Sequence, residues 1–249
     1  PQVMAFTTDV DAGNSPVTGE TVENGPQNVR EGGTTENTTI NNGGRQYVYD
    51  GGTANTTIIS GGVQWVKSGG TANNTTISGG TQYVYDGGTA NITTINNGGI
   101  QTVSSGGTVN TTTIDGGMQY VSSGGTVNTT TISGGKQTVS SGGTANGTII
   151  SGGTQIVRSG GTASGTTISD GGLMQNTGSD TGTTVKSGGT YELGRYSTGT
   201  PGKPPYRYYG TASASSLTVE NGGRATVYAG TLTGATVSGE NTVLKLMTP

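Results

Sequence analysis

Residues 61–78 read GGVQWVKSGGTANNTTIS, and most of the chain is built from copies of this stretch. The copies follow the pattern GG-x-Q-x-V-x-x-GG-T-[AV]-N-x-T-x-I-x, and the first Gly-Gly returns every 18 or 19 residues between Gly43 and Gly171. A fixed short period of this kind indicates a repeat architecture, in which one supersecondary unit stacks on copies of itself.

Each unit contains two candidate strands separated by glycine turns. In the first strand Gln64 and Val66 are two residues apart, so they point to one side, whereas Trp65 points to the other. Gln and Val recur at these positions in seven successive units, while the residues between them vary. The second strand repeats a Thr and an Ile in the same way, as at Thr57 and Ile59. The constant residues therefore mark the interior.

One or two apolar residues per strand form a core only when the units stack. Coils stacked at about 4.8 Å would join the Val residues into one column and the Ile residues into another. Side-chain amides of the Gln and Asn columns would bond from coil to coil as ladders. The sequence therefore predicts an all-β fold, a parallel β-helix or solenoid of 18–19-residue coils. The crossover rule favours its right-handed form.

Other architectures fit the sequence less well. Paired glycines at this frequency exclude a helical solenoid, because each Gly costs about 1 kcal/mol in a helix. Collagen needs Gly at every third residue, and this chain lacks that period. A disordered Gly/Ser/Thr chain is the main alternative, since only 27% of the residues are hydrophobic. A linker, however, has no reason to keep its Val and Ile residues in phase.

The repeat divides the chain into four segments. Residues 1–20 lack the motif and are predicted to cap the helix end, where strand edges are otherwise unpaired. Regular coils are predicted over residues 21–193, an inserted loop rich in Pro and Tyr over residues 194–210, and degenerate coils over residues 211–249. The chain shows no signal peptide and no closing segment, so we expect a mature product or a fragment of a longer protein.

Composition excludes several classes of function. The 249 residues include 50 Gly, no Cys and no His, and the net charge is −3. There is no basic excess for nucleic acid or an anionic membrane. The missing thiol and imidazole remove the commonest nucleophile and general base. We predict no catalytic residue, no cofactor and no metal site.

An enzyme acting on polysaccharide remains the alternative function, together with simple polysaccharide binding. Asp50 and Asp86 occupy the same repeat position two coils apart, about 10 Å from one another, which is similar to an inverting pair of carboxylates. An Asp before Gly-Gly is also a common turn residue, and we favour that interpretation. Calcium-binding β-rolls carry Asp in every nonapeptide, whereas Asp is sporadic here.

The recurring SGGT-x-N-x-T-x-I motif resembles the passenger domains of self-associating autotransporter adhesins of the AIDA, TibA and antigen 43 type. The resemblance is strong over residues 21–168 and weaker over residues 188–246. It implies a right-handed β-helix at the bacterial cell surface or secreted, joined to an outer-membrane barrel outside this sequence. It also implies autoaggregation, biofilm formation, adhesion to the host cell surface, a role in virulence, and O-heptosylation by a cytoplasmic heptosyltransferase.

The serines that open the Gly-Gly turns are the predicted heptose acceptors, because a turn hydroxyl beside glycines is open to a transferase. They are Ser60, Ser68, Ser78, Ser105, Ser123, Ser133, Ser141, Ser151, Ser159 and Ser187. The threonines in the column of Thr57 and Thr75 point inward and should be spared. The same inward threonines complete Asn-x-Thr sequons, so we expect these to stay unmodified.

Two groups of aromatic residues are candidate contact surfaces. Tyr47, Trp65, Tyr83 and Tyr120 point outward from the first strand and predict a stripe for binding further copies of the chain. The alternative is a ladder that only stiffens the helix. In the insert, Tyr206, Arg207 and Tyr208 have the aromatic and cationic composition of a recognition surface. The alternative is a loop whose tyrosines pack back on the helix, and both choices stay open.

Overall fold

The computed structural model describes residues 6–201 and 203–247. Five residues of the predicted cap, residue 202 of the insert and residues 248–249 lie outside this range. The described chain is all-β and forms a parallel β-solenoid, which confirms the predicted fold class. Each coil contributes short strands to three faces, and strands at equal positions in successive coils pair in parallel. No described segment forms a helix that is long and apolar enough to cross a membrane.

The first face is a sheet of thirteen strands within the described chain. Its strands are Asp9–Val10, Pro26–Val29, Arg45–Val48, Val63–Lys67, Thr81–Tyr85, Ile100–Val103, Met118–Val121, Lys136–Val139, Thr154–Val157, Leu173–Asn176, Thr190–Leu193, Arg224–Val227 and Val243–Leu246. Its register places equal residues on top of one another, so that Gln64 pairs with Gln46 and Gln82. The hydrophobic pattern and the backbone pairing therefore agree.

The second and third faces follow each other along every coil. The second face contains Val17–Thr18, Thr34–Glu36, Thr53–Asn55, Thr144–Asn146, Thr162–Ser164, Ser179–Thr181, Ser213–Ser215 and Thr231–Thr233. The third face contains Thr21–Val22, Thr39–Asn41, Ile58–Ser60, Ile149–Ile150, Thr167–Ile168, Thr184–Val185, Thr218–Glu220 and Thr236–Ser238. In four central coils the two faces are joined by one bent strand. These strands are Thr71–Ile77, Thr89–Asn96, Thr108–Asp115 and Thr126–Ile132.

Three corners close each coil, and two of them are Gly-Gly turns. Gly69 has a φ of +79°, which favours glycine. A Cβ on Gly70 would lie 2.4 Å from the carbonyl oxygen of Val48 in the preceding coil, so only glycine fits. The third corner is one residue in the left-handed region, such as Asn74 with a φ of 54° or Ile92 with a φ of 56°. This corner residue is the variable position of the N-x-T motif.

The interior consists of five stacked columns. The Val and Ile columns are fully buried, as predicted. The structure adds a column that the sequence reasoning did not place, in which Ala72, Ala90 and Val109 point inward from the second face. The fourth and fifth columns are the buried Gln and Thr residues.

Amide ladders run along the solenoid, and this confirms the ladder prediction. Inside, from Gln46 to Gln155, Nε2 of the Gln in each coil donates to Oε1 of the Gln one coil earlier at 2.7–2.8 Å. Gln82 also donates to the hydroxyl of Thr75 at 3.2 Å. On the half-buried surface the Asn side chains form a second ladder, in which Asn91 donates to Asn73 at 3.0 Å. The buried amides therefore have partners, as burial requires.

The stacking begins before residue 21, where the repeat motif begins. Asp9–Val10 and Val17–Thr18 extend the first and second faces by parallel pairing, although they lack the motif. The Glu20 carboxylate accepts hydrogen bonds from the Thr7 backbone and from Nε2 of Gln27. It therefore ends the Gln ladder. Residues 6–20 thus form an extra coil, because backbone pairing does not depend on the motif.

The coils after residue 170 keep the register but change their interior. Met174 and Tyr191 continue the Gln column, while Leu173 lies on the outer side of its strand. Asp180 is 2% exposed and takes the place of Ala163 in the second face. In this region the interior residues differ from coil to coil, so their contacts are not repeated along the solenoid.

Candidate adhesive and glycosylation surfaces

Three of the predicted stripe residues stack on one another on the outer side of the first face. The ring centroids of Tyr47 and Trp65 lie 4.7 Å apart with planes 10° apart, and those of Trp65 and Tyr83 lie 5.8 Å apart. The side-chain nitrogen of Lys67 lies 4.9 Å from the ring centroid of Tyr49, beside this stack. Contacts of this kind are expected of a ladder, and the outer surface of the rings remains available for a partner.

Tyr120 does not join this stack. In the register of the first face, Thr102 lies between Tyr83 and Tyr120. The Tyr120 hydroxyl donates instead to the sulfur of Met118 at 3.1 Å. The aromatic stack is therefore limited to residues 47–83, and Tyr120 is a separate surface aromatic.

The predicted acceptor serines lie at two of the three corners and form two ridges. Those after the first face are Ser68, Ser105, Ser123, Ser141 and Ser159, and those after the third face are Ser60, Ser78, Ser133, Ser151 and Ser187. Nine are exposed and Ser151 is half-buried. Within the first ridge the backbone N–H of Ser105 donates to Ser123 O at 2.8 Å, and that of Ser123 donates to Ser141 O at 2.9 Å. Serine hydroxyls of successive coils in this ridge therefore lie about 4.8 Å apart along the solenoid axis.

The inner threonines are in the opposite environment. Thr57 is fully buried, and Thr75 and Thr130 are 1% exposed. The asparagines of the sequons are half-buried, and their amides are engaged in the Asn ladder. A transferase that needs an accessible hydroxyl can reach the serine ridges and not this column.

The insert is an antiparallel hairpin and not an irregular loop. Arg195–Ser197 pairs with Tyr206–Tyr208. The Arg195 guanidinium lies 3.9 Å from the ring centroid of Tyr206 and 3.5 Å from that of Tyr228, and it forms an ion pair with Glu192. Cation–π contacts with a partly desolvated Arg are worth about 2 kcal/mol. The base of the hairpin is therefore fixed to the solenoid.

The hairpin folds back on the outer side of the first face. The backbone N–H of Ser197 donates to Oε1 of Gln175 at 3.4 Å, and Gln175 donates to Glu192 at 2.7 Å. Gln175 and Glu192 are outer-side residues of their strands, yet they are buried. The packing interpretation thus holds for the base, while Arg207 and Tyr208 remain exposed, Tyr208 at 60%.

Beside the hairpin lies an open cavity of about 370 Å³. It is lined by Ser140, Ser141, Arg158, Ser159, Thr177, Tyr196 and Tyr209. The first five belong to three successive coils at one corner of the solenoid, and the two tyrosines come from the hairpin and the segment that follows it. Sequence reasoning missed this site, because the two tyrosines lie in an insert without periodicity.

A polar cluster is buried inside the solenoid near the base of the hairpin. The Asp180 carboxylate accepts hydrogen bonds from Thr183 at 2.8 Å and from the Tyr191 hydroxyl at 3.2 Å. Burial desolvates the carboxylate and raises its pKa from 3.8 to about 6. Burial and the neighbouring Asp180 raise the pKa of Tyr191 well above 10. The cluster titrates only at Asp180 in the physiological range.

The two aspartates considered as a catalytic pair lie exposed in turns. Asp50 and Asp86 are at the same corner, and Ser68 of the intervening coil lies between them. Within residues 6–201 and 203–247, no three His, Cys, Asp or Glu side chains are grouped closely enough to hold a metal ion. No specific observation favours the alternative of a polysaccharide-degrading enzyme.

Comparisons with known proteins identify the family. A family model for the adhesin of bacterial autotransporter systems, described as a probable stalk, matches residues 132–172. A crystal structure of a TibA fragment that was hyper-glycosylated by TibC catalysis is 33% identical, with a TM-score of 0.62. The match covers 97% of this chain and 96% of the fragment. The chain belongs to the AIDA/TibA family of autotransporter adhesin passengers. The comparison with curated proteins gave no match.

The residues that match the family model lie at the end of the regular coils, next to the cavity beside the hairpin. Residues 132–172 include four of the predicted acceptor serines, Ser133, Ser141, Ser151 and Ser159. They also include Arg158 of the cavity. The matched stalk region and the candidate surfaces of this passenger therefore overlap.

Proposed function

We propose that this passenger is a bacterial surface adhesin that is O-heptosylated on its turn serines and associates with copies of itself. The observation that supports it best is the pair of ridges of exposed serines, repeated from coil to coil. The similar TibA fragment is a product of TibC-catalysed glycosylation. Heptose as the sugar, and a cytoplasmic heptosyltransferase as the partner, follow from the family resemblance.

The modification is tested by expressing the passenger with and without a heptosyltransferase of a self-associating autotransporter. Peptide mapping should find heptose on the ridge serines, for example Ser105 and Ser123, and none on Thr112 or Thr130 of the buried column. Ser123→Ala should remove one modified site and leave its neighbours occupied. Heptose mainly on the buried threonines, or on no residue, would contradict the proposal.

Self-association is proposed to use the stacked aromatics on the outer side of the first face. Tyr83 is 36% exposed, and Tyr47 and Trp65 are half-buried. A partly exposed aromatic strip on a rod with few charges is a suitable contact surface. Many weak contacts along aligned rods add through multivalency, so cells that display many copies would clump. Adhesion to host cells is proposed to use Arg207 and Tyr208, the exposed residues of the second hairpin strand.

The structure sharpens the test of this surface, because Tyr120 lies outside the stack and serves as a matched control. Cells that display Tyr47→Ser, Trp65→Ser and Tyr83→Ser together should settle more slowly, whereas Tyr120→Ser should leave settling nearly unchanged. Thermal unfolding is measured in parallel. Unchanged settling with a lower melting temperature would mean that the stack only stiffens the solenoid. For host adhesion, Arg207→Ser with Tyr208→Ser should reduce cell binding without changing settling.

A further inference from the structure

The cavity beside the hairpin is shaped from two unlike walls. One wall is a corner of the solenoid, where Ser140, Arg158 and Thr177 follow the buried column of the first face in three successive coils. The other is formed by Tyr196 and Tyr209, whose ring centroids lie 5.7 Å apart with planes 30° apart. A volume of about 370 Å³ lies at the lower end of the range of small-molecule sites, about 300–1,000 Å³.

The cavity has a cation that the described chain does not neutralise. The ion pairs of residues 6–201 and 203–247 join Arg30 to Asp9 and Arg195 to Glu192, so Arg158 has no carboxylate partner within this part of the chain. Its guanidinium lies 5.7 Å from the ring centroid of Tyr196. No acidic residue lines the cavity. The exposed Arg158 guanidinium presents paired N–H donors that match a carboxylate.

The remaining lining groups suit the rest of a sugar. Hydroxyls of Ser140, Ser141 and Ser159 can each donate and accept, and no hydrogen bond of these hydroxyls occurs among the described residues. The Thr177 hydroxyl is already bonded to Val157 O at 3.0 Å. The two tyrosine rings offer flat apolar surfaces with polar tips. Flat rings, free hydroxyls and one cation together favour a polyhydroxylated ring that carries a carboxylate.

The geometry points to a binding site for an acidic saccharide unit, a pyranose bearing a carboxylate, between Arg158 and the tyrosines Tyr196 and Tyr209. The carboxylate pairs with the Arg158 guanidinium, the ring lies against the tyrosines, and the serines bond its hydroxyls. Acidic sugars are chemically distinct from the heptose proposed for the ridges. The site therefore adds a ligand function to the passenger. Because Ser141 and Ser159 are also proposed heptose acceptors, the acidic saccharide would bind where these two serines are unmodified.

The test uses the passenger produced without a heptosyltransferase, so failure of the proposed modification does not affect it. Glucuronate, glucose and acetate are titrated, and the NMR signals of the tyrosine rings and arginine side chains are followed. Glucuronate should shift the signals of Arg158, Tyr196 and Tyr209. Glucose, which lacks the carboxylate, and acetate, which lacks the ring, should each bind at least about tenfold more weakly, because the charged pair and the ring contacts act together.

Two variants locate the site. Arg158→Gln should weaken glucuronate binding at least about tenfold, whereas Arg45→Gln, an exposed arginine on the same face, should not change it. Ser140→Tyr should block the cavity and still fold, because Tyr49 and Tyr85 occupy the equivalent position in earlier coils. Equal binding of glucuronate and acetate, absence of glucuronate binding, or retained binding in both Arg158→Gln and Ser140→Tyr would overturn the inference.

Discussion

The coils of residues 39–168 and those of residues 171–246 share one backbone and differ in what fills it. In the earlier coils the same five residue types recur inside, and each amide or methyl group meets its own copy one coil away. In the later coils Met174 and Tyr191 take the places of Gln, and Asp180 takes the place of Ala. Parallel pairing continues through both. The backbone ladder thus holds the fold, and the side chains can be exchanged where a site is built.

A charged substitution tests whether the interior of the regular coils tolerates only apolar side chains at the Ile column. Ile114→Asp would bury a carboxylate in the fully buried Ile column, next to Ile95 and Ile132. We expect a loss of several kcal/mol in the free energy of unfolding, since an unpaired buried charge is strongly unfavourable. Denaturant unfolding measures it. Met118→Asp, at a residue 40% exposed, is the matched control and should have little effect; equal losses would reject the assignment of the faces.

The later coils already contain a buried carboxylate, that of Asp180, and its effect on the free energy of unfolding should depend on pH. The pKa of Asp180 is about 6 in the folded chain and 3.8 when unperturbed, so folding takes up a proton between these values. Stability is then fully present below pH 3.8 and is lost as the pH rises through 6, by about 3 kcal/mol at about 1.36 kcal/mol per pKa unit. Tyr191 stays neutral over this range, because its pKa is raised further above 10.

Asp180→Asn should abolish this dependence. The variant should be more stable than the parent chain at pH 7.5 and no more stable at pH 3, as measured by thermal unfolding at both values. The difference between the two chains removes the contribution of other titrating groups, including Asp9, whose pKa is lowered mainly by its hydrogen bond with Asn28. A constant difference at all pH values would show that Asp180 is not protonated on burial.

The Gln ladder is the feature that the later coils abandon, so its energetic value can be measured in the earlier ones. Gln101→Met keeps a long side chain but removes the bonds to Gln82 and from Gln119, both of 2.7 Å. We expect a loss of about 2 kcal/mol, because buried polar atoms are left without partners. Asn110→Met breaks the half-buried Asn ladder, where water can replace the bonds, and should lose less than about 1 kcal/mol. Similar losses would mean that the inner ladder contributes no more than the outer one.

The third corner gives the smallest expected effect. Later coils place Gly147 and Gly165 in the left-handed conformation, whereas an earlier coil places Ile92 there with a φ of 56°. A β-branched residue is unfavourable in this region by about 1–2 kcal/mol. Ile92→Asn, which matches Asn74 at the same corner, should therefore raise the free energy of unfolding by about 0.5–1 kcal/mol. A lower stability would show that the exposed Ile92 side chain has a packing role.

Most of the solenoid could be predicted because its contacts join equal residues one period apart. A single unit shows that Val66 and Ile77 are inside, and repetition then predicts the columns and the ladders. The inward Ala72 column was harder to recognise, since a small residue between Thr and Asn carries little hydrophobic signal. The end of the aromatic stack follows from Thr102, which the register places after Tyr83.

The candidate sites differ in the same way: those built from repeated residues could be predicted, and the cavity, which is not, could not. The serine ridges followed from the position of Ser105 and Ser123 in each repeat, because nine of the ten corner serines are exposed alike and only Ser151 is half-buried. The cavity could not be predicted from the repeat, because its tyrosines lie in a segment with no period. Nothing in the order of the residues shows that Tyr196 meets Arg158.

The sequence by itself determined the period, the residues that face inward in the regular coils and the turn serines that face solvent. Those features depend on local alternation and on the identity of residues 18 or 19 positions apart. Only the tertiary structure decided that the insert folds back as a hairpin, that a cavity opens beside it, and that Asp180 is buried with Tyr191. These features depend on single contacts between residues that do not recur, and a contact made once leaves no pattern in the sequence.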